Sequence, residues 1–169
     1  MKKLIVITII GALFFVLTGC PLEQGGISRN YNHKAEITGN YTYKTECLGI
    51  DADGSQKLST WGNGRNRHEA IEQAKKNAIR DVLFKGIIEG KTVCDPKPVV
   101  TEVNAQERYE SYFYSFFADG GEYQNYVWLL EDRPRDRVFP DRATVTYNVI
   151  LKVQRLELKQ KMINDGILQ

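Results

Sequence analysis

The sequence predicts an α+β domain, an antiparallel sheet of about four strands with two to three helices on one face. Three observations carry that prediction. Strand-like stretches come in two pairs, Tyr41–Ile50 with Gln56–Trp61 and Tyr123–Leu130 with Ala143–Val153. Two segments of helical period lie between those pairs, and no stretch of the chain repeats another. The order β-β-α-(β)-α-β-β-α sets strands beside strands, which suits antiparallel pairing with helices gathered on one side.

In the first pair, Tyr41, Tyr43, Thr45, Cys47 and Gly49 alternate with Thr42, Lys44, Glu46 and Leu48. A period of two marks a strand. Asp51-Ala52-Asp53-Gly54 then supplies turn residues, and QKLSTW from Gln56 returns as a shorter strand, giving a hairpin. The Asp51 and Asp53 carboxylates read as turn chemistry rather than as an acid–base pair.

The stretch WGNGRNRHEAIEQAKKNAIRDVLFKG, Trp61 to Gly86, opens on a glycine pair and two arginines and continues as an amphipathic helix. Asn66, three residues before Glu69, forms a capping-box pattern with Asn at the cap. At 100° per residue, Ala70, Ile71, Ala74, Ala78, Ile79, Val82 and Leu83 share one side. The small residues Ala70, Ala74 and Ala78 let this helix lie close on a sheet. Lys75 interrupts the apolar arc, Phe84 points away from it, and Gly86 and Gly90 are the stop signals. Arg65 and Arg67 stand at the positive end of the helix dipole, where cations are unfavourable by roughly 0.3–1 kcal/mol each. Their compensation is either internal, from Glu69, Glu72 or an acid on a neighbouring strand, or an external anion or partner carboxylate held by the helix start. The pattern lacks the lysine-serine pair and third glycine of a phosphate-binding fingerprint, which favours the internal reading.

Pro96 and Pro98 forbid a helix in TVCDPKPVVTEV, leaving Val99–Val103 as an edge strand. Asn104-Ala-Gln-Glu107 repeats the capping-box pattern, and Ala105, Tyr109, Tyr112, Phe113, Phe116 and Phe117 follow at helical spacing up to Gly120-Gly121. This second helix has a wide aromatic face, most simply a core face. Tyr114 lies off it and, with Tyr123 or Trp128, offers rings that would stack on a sugar or a partner. Tyr123–Leu130 and Ala143–Val153 form the second hairpin, joined by the mixed-charge segment Glu131–Arg142 with Pro134 and Pro140. That segment reads as a solvated hairpin tip, with protein contact as its functional alternative. A last helix over Arg155–Asn164 ends at Gly166, with Leu156, Met162 and Ile163 apolar.

The chain begins MKKLIVITIIGALFFVLTGC: two lysines, an apolar run from Leu4 to Leu17, then small residues ending in Cys20. The run is short against the roughly 20 residues that cross a bilayer, so it reads as a signal peptide over residues 1–19. Leu17-Thr18-Gly19-Cys20 resembles the bacterial lipobox, whose cysteine is lipidated and becomes the first residue after cleavage. Acyl chains contribute about 0.8 kcal/mol per buried CH₂, so two or three of them hold a soluble domain on a membrane. Residues 20–39 then form a lipidated cysteine and flexible tether, rich in Gly, Asn and Ser, and residues 40–169 one α+β domain. No acidic run follows Cys20; such a run resembles a surface-export signal, and its absence favours an outer-membrane lipoprotein facing the periplasm.

Removing residues 1–19 takes Lys2 and Lys3 from the 23 basic residues and none of the 21 acidic ones, so the mature charge is zero. A neutral chain is not a general nucleic-acid binder. Outside the cytoplasm Cys47 and Cys94 either pair or stay as two buried thiols. Their spacing matches no zinc pattern, and His33 and His68 are the only histidines. The chain has no G-x-S-x-G and no H-E-x-x-H, and His68 reads as a solvent-facing residue of the first helical turn. Neither a catalytic residue, a metal nor a cofactor is expected.

A strand ending in G-x-G before "EAIEQAKKNAIRDVL" resembles the EA-x-x-x-A-x-x-x-A helix in the N-terminal domain of the flagellar assembly protein FlgT and in related small envelope lipoproteins. Glu69, Ala70, Ala74 and Ala78 carry the resemblance, which covers about a quarter of the chain and leaves the aromatic helix unmatched. It implies a non-catalytic envelope interaction or assembly factor with a protein partner. The alternative is a periplasmic small-ligand or glycan receptor using Tyr114 and Trp128.

Overall fold

Helix α1 (Arg67–Arg80) crosses the sheet strand β2 (Gln56–Gly64) so closely that the two backbones are in contact. A computed structural model describes residues 44–138 and 144–168, within a compact unit running from Ile37 to Gln169. Strand β1 (Glu46–Ile50) pairs antiparallel with β2, with a bulge between Cys47 and Gly49. The expected hairpin therefore forms, while Tyr41 and Tyr43 lie outside the described residues. Strand β2 runs three residues past Trp61, through both glycines.

That extension makes β2 a strand ending in G-x-G, longer than the QKLSTW stretch expected to form it. A Cβ at Gly62 would stand 2.0 Å from the Ala70 carbonyl oxygen and 2.4 Å from the Ala74 nitrogen. One at Gly64 would stand 2.6 Å from the Ala70 nitrogen. Glycine on the strand and alanine on the helix together permit the approach. All seven residues assigned to the apolar side of the helix are buried. Fully buried Ile79 and Leu83 each contribute about 1.5–3 kcal/mol relative to exposure. Lys75, inside the arc, is accommodated by an ion pair with Glu72 at 2.6 Å.

The helix passes into one π-turn, Asp81–Lys85, and ends at Gly86, whose N–H donates to the Asp81 carbonyl at 2.7 Å. Strand β3 (Glu89–Gly90) then pairs parallel with β1. This makes the sheet mixed and five-stranded, in the order β3-β1-β2-β5-β4, rather than antiparallel and four-stranded. The proposed edge strand Val99–Val103 is not one. The N–H groups of Val99 and Val100 donate instead to the Val82 and Leu83 carbonyls at 3.0 and 2.8 Å, satisfying the free end of the helix.

The aromatic helix is broken in two, α2 (Ala105–Arg108) and α3 (Glu110–Phe116), by Tyr109 at φ −113°, ψ 34°. Asn104 is left-handed at φ 67° and its side chain makes no cap, so the second capping box does not form. The face itself is core, as its spacing implies: Phe113 and Phe116 are buried, and Phe84 meets Phe113 edge to face at 4.9 Å. Such a ring pair adds about 0.5–1.5 kcal/mol to its burial. Tyr123 sits in a 3-10 turn, Glu122–Tyr126, and not in a strand. Strand β4 begins after it and extends over Val127–Val138, through much of the segment expected to be a loop. Pro134 is tolerated because it falls in a register shift, between Arg133 and Arg137, on the last strand of the sheet.

Strand β5 (Val145–Val153) lies between β2 and β4, antiparallel to both. Ala143 lies outside the described residues. Helix α4 (Arg155–Asn164) follows and buries Leu158 and Met162, whereas Leu156 is exposed and Ile163 partly so. The buried side chains of α1, α3 and α4 join one cluster with Leu58, Val149, Leu151 and Val153 of the sheet, except Ala70, which packs with Val145 and Tyr147. The cross-strand register sets Ser59, Trp61, Asn148, Ile150 and Lys152 on the opposite face. There Ser59 and Asn148, both buried, satisfy each other by hydrogen bonds.

Candidate functional site

The arginines at the start of α1 are matched internally. Asn66 caps the helix, its Oδ1 accepting from the Glu69 N–H at 3.0 Å. The Glu69 carboxylate accepts from the Arg65 backbone N–H and takes the Arg65 guanidinium in a two-point grip at 3.0 and 2.9 Å. The reciprocal arm of the capping box therefore lands one residue earlier than the usual motif. The hydrogen bonds from Arg65 hold the Glu69 carboxyl below the ordinary carboxylate range. Arg67 reaches across to Asp132 on β4. Thus one of the two acids comes from the first turn and the other from a neighbouring strand, so each guanidinium has an internal carboxylate partner.

Cys47 on β1 and Cys94 are joined by a disulfide with a Cα–Cα distance of 6.1 Å. It fastens the segment after β3 to the strand beside it, and the Lys91 N–H donates to the Cys47 carbonyl at 2.8 Å. Cys20 and His33 lie outside the described residues. His68 is exposed. Among the described residues, no His, Cys, Asp and Glu side chains gather in threes able to hold a metal ion, and no helix is long and apolar enough to cross a membrane.

The rings considered for stacking do not converge. Tyr114 is 82% exposed on α3, at the rim of an open hollow of about 500 Å³ that Lys76, Arg80, Phe113 and Phe117 also line. Lys76 is paired with Asp119 at 2.7 Å, and the Arg80 guanidinium lies 5.4 Å from the centre of the Phe117 ring. Tyr123 is withdrawn from any ligand: it is buried, and its hydroxyl donates to Glu72 at 3.0 Å. Burial, aided by that carboxylate, pushes its phenol up to about 12. Trp128 belongs to a different part of the surface.

That part is the outer edge of the sheet. Trp128, Leu129 and Leu130 follow one another on β4 and are 41%, 38% and 46% exposed. Trp128 stands opposite Lys152 on the face away from the helices, and Leu129 opposite Leu151 on the helix face. The register then shifts, so Leu130 stands opposite no residue of β5. Glu131 and Arg133 follow on the face of Trp128, their charged groups 3.6 Å apart. Asp132 turns toward the helices and meets Arg67. Among the described residues, no strand pairs with the outer side of β4.

Sequence reasoning selected Trp128 for its ring but missed Leu129, Leu130 and Asp132. A strand that ends a sheet carries no local signature of that position. The available hint was the run of three large apolar residues directly before charge of both signs. The chain matches no family model, and comparison with curated proteins and with solved structures returns no match.

Proposed function

We propose that this chain is a lipoprotein anchored through Cys20 to the outer membrane, and that its domain serves on the periplasmic side as a non-catalytic interaction or assembly factor. The observation that carries the reading is the strip along the edge strand β4, where exposed Trp128, Leu129 and Leu130 adjoin Glu131 and Arg133. Consecutive exposed apolar residues bordered by paired charge are the composition of a protein contact. A receptor for a small ligand would instead gather its rings around a recess. The hollow beside α3 favours that alternative, since Tyr114 lines it together with Phe84, Phe113 and Phe117. The lipid anchor gives the domain its address, and the strip gives it a surface for a neighbour.

The test is fractionation followed by crosslinking. Exchange of Cys20 for Ser should release a folded domain from washed membranes into the soluble fraction. Retention of that variant would overturn the anchor. Chemical crosslinking of the lipidated protein in cells, read by mass spectrometry, should recover the same envelope protein in repeated trials. Recovery of none, together with a rise in melting temperature on adding oligosaccharides, would overturn the adaptor reading in favour of the receptor.

A further inference from the structure

We infer that β4, over Val127–Arg133, takes an extended strand of a partner polypeptide onto its outer side, enlarging the sheet. The inference rests on the adaptor reading and names the surface and the form of the partner. In an antiparallel ladder alternate residues aim both N–H and C=O away from the neighbouring strand. Such groups face outward on both sides of the bulge at Leu130. Proteins blunt an edge of this kind with lysine, proline, bulges, inward-pointing charges or a very short strand. The bulge at Leu130, the inward Asp132 and Pro134 all fall in the second half of the segment, and residues 127–129 carry none of these devices.

The chemistry of the edge separates the candidate occupants. A lipid surface would cover Trp128 and Leu130 but has no groups to satisfy the backbone row, and unmet backbone groups in hydrocarbon cost several kcal/mol each. A second copy fits poorly. Antiparallel self-pairing centred on Leu130 sets Glu131 against Leu129 and Asp132 against Trp128, charge against apolar side chain, and centring it on Glu131 or Asp132 sets that carboxylate against its own copy. A foreign strand meets both demands: its backbone completes the ladder, and it needs apolar side chains on both faces beside Trp128–Leu130. Beyond them it needs polar or charged residues to meet Glu131 and Arg133. Recognition of this kind takes affinity from main-chain bonds and specificity from alternate side chains.

The experiment places the photocrosslinking residue p-benzoylphenylalanine at Trp128, Leu130 or Tyr114 of the full lipidated chain in producing cells. The adducts are then mapped by mass spectrometry. The expected result is that positions 128 and 130 label one partner at sites a few residues apart in a single segment, as an extended strand rising about 3.3 Å per residue requires. Adding Leu130→Lys should lower the yield from position 128 at least tenfold while the circular dichroism spectrum stays unchanged. Adducts with this chain's own β4, adducts with lipid alone, or a yield insensitive to Leu130→Lys would overturn the strand. Capture from position 114 but not from 128 or 130 would overturn the strand and leave the adaptor standing. Capture from none of the three would overturn both.

Discussion

At one edge of the sheet β3 contributes only Glu89 and Gly90; at the other, β4 runs for twelve residues from Val127 to Val138. The short edge is closed by its surroundings. Glu89 is ion-paired with Lys44, the Cys47–Cys94 bond fastens the segment that follows, and Gly90 lies against β1 at φ +92°. A Cβ at Gly90 would stand 2.3 Å from the Cys47 carbonyl oxygen, so no other residue fits there. Among the described residues, the long edge carries no such closure on its outer side. Its side-chain tie runs inward, from Asp132 to Arg67 at the start of α1. The contrast teaches that covalent and steric constraint gathers at the short edge, while exposed apolar residues gather at the long one.

The largest effect should come from opening the closed edge. Replacing Cys47 and Cys94 together by Ser removes a crosslink between residues 47 apart in sequence. In the chain-entropy model a loop of this size stabilises by about 4 kcal/mol. Urea unfolding of the oxidised protein and the double variant should differ by about that amount. Hydrogen exchange at Lys91 should quicken while exchange in β2 and β5 keeps its rank order. Uniform acceleration across the sheet would mean that the bond supports the whole domain and that the edge has no local closure.

The next effect concerns the inward tie of the open edge. Arg67→Gln leaves Asp132, whose side chain is only 14% exposed, without its cation. Stranding a largely buried carboxylate is costly, but Arg67 is 56% exposed and solvent screens the pair, so a loss of about 1 kcal/mol is expected. Asp132→Asn in the same background should recover part of it. Absence of recovery would mean that the guanidinium acts by packing and not by charge. Arg65→Gln, whose pair is a single-helix contact at the surface, should change stability less.

These two positions also show what the sequence made legible. The seven buried residues of α1 follow from a strong 3.6-residue period, and the internal compensation of Arg65 and Arg67 follows from the charge sign of a helix start. The glycine pair was legible as the end of a strand before the helix, but not as its point of contact with that helix. Its requirement is a helix backbone arriving 2.0 Å from a Cβ that cannot exist, a tertiary fact with no local trace. Similarly, Glu131–Val138 has the composition of a loop, and only the ladder with β5 makes it a strand. The break at Tyr109 is hidden for the opposite reason: its aromatic spacing fits an unbroken helix, yet the left-handed Asn104 and the turn at Tyr109 bend the chain to fill the core. Periodicity reports which residues face inward. It does not report which strand will end the sheet.

Acid should loosen the closed edge by a smaller amount. The hydrogen bond from Lys44 holds the Glu89 carboxyl below its ordinary range, and the backbone N–H of Lys97, with the charge of Arg155, does the same for Asp95. A carboxyl whose folded pKa is depressed adds stability above its unfolded value and loses it as the pH falls through the folded one. The decline should therefore begin near pH 4, where unfolded carboxylates of this kind take up protons, and continue below it, at about that pH and lower. Asp95→Asn should flatten the fall of the urea midpoint between neutral and acid solution. Equal slopes in the variant and the parent would show that Asp95 adds nothing to the closure.

The smallest effect should follow Leu130→Lys. Leu130 is 46% exposed and stands opposite no residue of β5, so its replacement uncovers little apolar surface and breaks no cross-strand pair. Lysine is moreover the residue by which natural edges avoid unwanted pairing. Stability measured by urea unfolding should stay within about 0.5 kcal/mol of the parent, the range of ordinary surface substitutions. Val127→Lys, three residues earlier on the same strand, is the contrast: Val127 is 3% exposed in the main cluster, and an unpaired ammonium there should cost several kcal/mol. The comparison of edges requires these two outcomes to differ widely. If Leu130→Lys cost more than about 1 kcal/mol, Leu130 would belong to the fold's own packing. The strip on β4 would then be structural surface, with no room left on it for a partner strand.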